Sequence, residues 1–112
     1  MLPAVALLAV AAAPGASAAT PTENLDCAVW ASVTMDTLAD ADAQQGFGFV
    51  MNWFIGLYEG ATGRDIDDAM VQRMANMTDA EFDRIGPICL DRMSAYGERL
   101  GRLSERLAAQ GN

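Results

Sequence analysis

The chain of 112 residues contains no histidine, and all seven of its basic residues are arginine, so lysine is absent too. Without histidine there is no Ser-His-Asp or Cys-His arrangement, no histidine metal site and no imidazole base. Without lysine there is no Schiff-base nucleophile. Bases are scarce as well: 15 acidic side chains face seven basic ones, a net charge of −8. That balance argues against a nucleic-acid partner. A Gly-rich phosphate loop is missing, because Gly46 and Gly48 have neither a third glycine nor a preceding strand. The expectation is a protein that is not an enzyme and carries no cofactor.

Residues 1–18 differ in kind from the rest. They hold no charged side chain, and Ala4 to Ala13 is unbroken apolar sequence. Such a run has the length of a signal-peptide core and is too short to cross a bilayer. Pro14 and Gly15 break the helix, and Ala16-Ser17-Ala18 offers the small residues of a cleavage site. A signal peptide over 1–18 is expected, with a single helical domain over 19–112 that is periplasmic or secreted. No basic residue precedes Arg64. The positive charge of such a leader therefore rests on the free amino terminus or on residues upstream of Met1. Cys27 follows Asp26, which suits lipidation poorly.

Export makes a disulfide possible. Cys27 and Cys89 are the only cysteines, 62 positions apart rather than in a redox-type Cys-x-x-Cys. A structural bridge between them closes a loop of about 60 residues, worth roughly 4 kcal/mol in the chain-entropy view.

Helix signals dominate the remainder. Thr20-Pro21-Thr22-Glu23 reads as a capped start, with a helix running to about Ala41 whose inner face holds Cys27, Trp30, Ala31, Met35, Leu38 and Ala41. Asp26, Asp36 and Asp40 fall on its other face. A second helix is expected over Ala43–Ala61. Its stretch Phe47–Tyr58 is apolar nearly all round, which suits a central bundle position, and Gly56-x-x-x-Gly60 reads as a close-packing site. Gly63 is the natural stop. Asp65 reads as the cap of a third helix, and Thr78-Asp79-Ala80-Glu81 as a capping box for a short fourth one ended by Gly86-Pro87. A last helix from Pro87 carries Cys89, Met93, Tyr96, Leu100, Leu103 and Leu107 at alternating spacings of four and three. That pattern is a packing seam. The fold class is therefore all-α, a small bundle of four or five helices stapled by one disulfide.

Two acidic groups resemble cation sites for a moment. In Asp36, Asp40 and Asp42 the glycine falls one place late for a calcium loop, and its last position is Met51. Asp65, Asp67 and Asp68 open a helix, where acidic residues complement the dipole without a metal. Methionine is plentiful, and this adaptable side chain both fills cores and lines promiscuous surfaces. Met70, Met74 and Met77 share one helix face and are the candidate groove for an apolar partner segment.

With Cys27 early, Asp36 in an acidic first helix and Cys89 ahead of the C-terminal helix, the chain resembles small exported proteins of Gram-negative bacteria with two distant cysteines. In plan it is more loosely similar to the HdeA-type periplasmic acid-stress chaperones. It departs from that family in its longer inter-cysteine segment and its lack of lysine. The resemblance carries over only the disulfide. Three functions stay open: a binding or interaction module of the envelope with an unknown protein partner, an acid-triggered holdase acting on client proteins, and an immunity-type inhibitor of a secreted toxin.

Overall fold

A computed structural model describes residues 18–111, so the expected leader lies, but for Ala18, outside the described residues. Four helices follow in order: α1 (Pro21–Thr37), α2 (Ala41–Thr62), α3 (Asp67–Asn76) and α4 (Asp79–Gln110). The all-helical class and the single staple are as expected. The cysteines lie in α1 and α4 with Cα atoms 5.4 Å apart, and their sulfurs are bonded. Both are buried.

Capping chemistry sets most of the boundaries. Thr20 Oγ1 accepts from the Glu23 N–H at 3.2 Å, and Glu23 Oε1 accepts from the Thr20 N–H at 3.1 Å. These reciprocal bonds satisfy two of the donors that a helix start leaves without partners. The Thr20 bonds also hold the Glu23 carboxyl below its ordinary pKa. Thr78 and Glu81 repeat the motif at the start of α4. Gly63 closes α2 in the left-handed region at φ 68°, a conformation that glycine adopts without a Cβ penalty.

Other boundaries differ from the sequence reading. Helix α1 stops at Thr37 rather than Ala41, because Asp40 begins the next helix: its Oδ2 accepts from the Ala43 N–H at 3.0 Å. Aspartate is among the best residues for that position. Asp65 does not cap α3; the helix begins after Ile66 without a side-chain cap, and Asp65 Oδ1 accepts from the Asp67 N–H at 3.3 Å. The two helices expected on either side of Pro87 are one helix of 32 residues. Proline forfeits one backbone hydrogen bond, but Ile85 and Cys89, four residues apart across it, are both buried. Gly86 has a separate reason to be small. A Cβ there would sit 3.3 Å from Trp30 Nε1, so its bare backbone lets α4 close onto α1.

The centre of the bundle is α1, not the apolar segment of α2. Cys27, Ala28, Val29, Trp30 and Ala31 are buried in succession, which surrounds more than one full helical turn with other helices. The core joins Cys27, Ala28, Trp30 and Ala31 to Phe54, Ile66, Ile85 and Cys89. Alanine and cysteine at those positions let three helices approach together. Within Phe47–Tyr58 only Phe54 is fully buried, while Phe49 is 65% exposed. Gly56 and Gly60 are exposed, and no atom would meet a Cβ at either within 4 Å. The close-packing reading of that pair fails, since they face away from every neighbouring helix. None of the described helices is long and apolar enough to cross a membrane.

Candidate functional site

Two polar clusters tie the bundle together. On one side Arg73 of α3 donates from Nε to Asp26 Oδ1 of α1 at 2.7 Å and reaches Glu81 Oε2 of α4 at 3.0 Å. Asp26 is thus not a solvated surface acid. One guanidinium joins three helices, and its hydrogen bond to Asp26, with the two carboxylate charges, raises its pKa. On the other side Arg92 of α4 donates to Asn24 Oδ1 and, at 3.5 Å, to Cys27 Sγ. Its guanidinium lies 4.9 Å from the Phe54 ring centroid and 5.7 Å from that of Trp53. Burial pushes its pKa down, against a smaller upward pull from Glu23. Aromatic faces here take much of the role a carboxylate would otherwise play.

The methionine face divides. Met74 and Met77 border a cleft of about 310 Å³ with Val29, Val33 and Phe82. Met74 is 46% exposed there. Met70 is not part of that cleft and packs on the core. Asp79 and Thr78 stand at its rim.

A larger and far less polar groove lies elsewhere, between the first half of α2 and the middle of α4. It encloses about 500 Å³ and is lined by Ala43, Phe47, Phe49 and Val50 from α2 and by Met93, Tyr96 and Leu100 from α4. Tyr96, one of its lining residues, stacks on Trp53, centroids 4.2 Å apart and planes within 5°. Phe47, also in the lining, packs its ring against Trp30 with centroids 5.5 Å apart. From there the seam of α4 continues through Leu103 and Leu107, which are 48% and 59% exposed. Every residue of α4 from Gly97 to Gln110 is exposed. The last part of the helix is an arm carrying an uncovered leucine stripe.

Neither the groove nor the arm was singled out from sequence, although both left signals there. The seam of α4 runs well past Cys89, and Phe49 sits in a segment with more apolar residues than one core can absorb. Chemically the surface offers burial and shape, with no convergent polar groups. The chain matches no protein-family model, and no curated protein or solved structure shows significant similarity to it.

Proposed function

We propose that this is a small, exported, non-enzymatic binding module of the cell envelope that docks a protein partner in the groove between α2 and α4. The observation that carries the reading is the groove itself. A contiguous apolar surface of this kind, pre-formed by an aromatic stack and extended by an exposed leucine stripe, is what marks interaction sites on small proteins. The apolar leader and the buried disulfide support export into an oxidising compartment. Cleavage after Ala18 would place the new amino terminus one residue before the cap of α1, leaving the helix intact.

The test is a photo-cross-linking residue in place of Phe49, introduced into the protein in its native host. The expected result is one reproducible envelope partner, lost on Tyr96→Asp, and a mature chain that begins at Ala19. Absence of any Tyr96-dependent adduct overturns the reading.

One observation favours the acid-triggered holdase as a second reading. Arg73 holds α3 to α1 and α4 through the carboxylates of Asp26 and Glu81, so these ties depend on charge. The apolar cleft beside them, with Met74, Met77 and Phe82, would open toward clients as those ties weaken. ANS fluorescence and far-UV circular dichroism of the oxidised protein, followed together from pH 7 to 2, test it. Apolar surface must appear while helicity is kept, and aggregation of a client must be suppressed at low pH.

A further inference from the structure

We infer that the occupant of the groove is a second copy of this chain, in a two-fold dimer where each arm lies in the other copy's groove. This rests on the groove being a docking surface, and it names what docks. The first argument is geometric. Helix α4 is unbroken to Gln110, so no loop allows the arm to fold back, and residues 97–110 span about 21 Å with exposed positions throughout. Leu100, Leu103 and Leu107 remain 45%, 48% and 59% exposed. An amphipathic helix is the shape that an open inter-helix groove accepts, and this chain carries both parts on one continuous surface.

The second argument is charge. From Gly97 onward the chain has three arginines against two glutamates, whereas the residues before it hold 13 carboxylates against four arginines. A basic arm therefore belongs to an acidic body. Among the described residues Arg99, Arg102 and Arg106 form no ion pair. Ala43, in the groove lining, lies at the start of α2, where Asp40 and Asp42 are exposed. An arm entering from a second copy brings its arginines to those carboxylates.

The same charges disfavour the other arrangements. In a zipper of two arms, the seam is flanked by Arg99 and Arg106 on one side and by Gly97 and Ser104 on the other. Antiparallel arms would set arginine against arginine, and parallel arms would give it no carboxylate. An anionic membrane would attract the arm and repel the body attached to it. Reciprocal exchange closes with two-fold symmetry. Each copy then contributes an arm and a groove toward the roughly 800 Å² per partner of a stable complex.

Light scattering on the oxidised protein from about 1 to 100 µM tests the assembly, with a mass of two chains expected. Leu103→Glu and Phe49→Asp, both at exposed positions, should each give a folded monomer. A photo-cross-linker at Leu107, in a mixture of light and ¹⁵N-labelled chains, should join the α4 peptide of one copy to the Phe49 peptide of the other. A monomer at 100 µM overturns the inference, as does an adduct between two Leu107 peptides or a monomer that binds phosphatidylglycerol vesicles through Leu103. If the protein is monomeric yet Phe49 still captures another envelope protein, the dimer is wrong and the docking surface stands. If neither is seen, both fall.

Discussion

Arg92 and Asn24 form a polar contact between α4 and α1 at the edge of the core. Asn24 is 3% exposed and takes its side-chain hydrogen bond from Arg92. Arg92→Met keeps the stem against Trp53 and Phe54 but leaves the Asn24 amide buried and unpaired, which costs about 1–3 kcal/mol. Replacing both residues at once removes the orphan. Chemical denaturation of Arg92→Met, Asn24→Leu and the double variant should show the double variant less destabilised than the sum of the singles; additivity would mean the contact is incidental. A second residue-scale expectation concerns pH. The folded pKa of Glu23 is depressed from its ordinary 4.5 by the bonds from Thr20. A depressed carboxyl adds stability above that value and loses it as pH falls through the lower folded one. Glu23→Ala should therefore be less stable than the parent at pH 6 and converge with it in acid, as read from thermal midpoints across pH.

At the scale of the element, the two glycine classes separate. Gly86 meets Trp30 across a helix interface, whereas Gly56 and Gly60 meet nothing. Exposed glycines inside a helix cost roughly 0.5–1 kcal/mol relative to alanine. Gly56→Ala and Gly60→Ala should each raise the thermal midpoint, while Gly86→Leu should lower it by overpacking, at about 1–3 kcal/mol. A drop at Gly56 or Gly60 would show that some partner packs there. Periodicity and caps made the class, the starts of α1 and α4 and the end of α2 legible, because Thr20, Thr78 and Gly63 act within a few residues of themselves, whereas Asp40 was read as part of the first helix and not as the cap of α2. The centrality of α1 was not legible. It comes from alanines and a cysteine that score as bland in sequence but matter because three helices converge on them. The continuity of α4 escaped for a related reason: Pro87 is a local stop signal, and only the tertiary burial of Ile85 and Cys89 on either side overrides it. The groove was hidden because it forms where α2 and α4 part, a distance that neither helix encodes alone.

The whole molecule hangs on α1 through two tethers of different chemistry. Arg73 holds α3 by ion pairs to Asp26 and Glu81, and Cys89 holds α4 by a covalent bond to Cys27. Acid protonates carboxylates and leaves a disulfide untouched. A reductant does the reverse at neutral pH. The bundle should therefore loosen in a different order under each agent. In acid, α3 of the oxidised protein relies on charge-dependent ties through Arg73 and has no fully buried residue of its own. The segment of α4 around Ile85 and Cys89 is still bonded to the centre. Hydrogen exchange should then rise first over residues 67–76 and later over 85–93. Removing the bridge at pH 7 with Cys27→Ala/Cys89→Ala should cost about 2–5 kcal/mol and reverse that order. Arg92, Trp53 and Tyr96 are then the main contacts left to hold the middle of α4. Uniform exchange across all four helices under both conditions would mean the bundle opens as one cooperative unit, in which case neither tether acts as a separate switch. The same outcome would take away the structural basis for acid opening the cleft at Met74 and Met77.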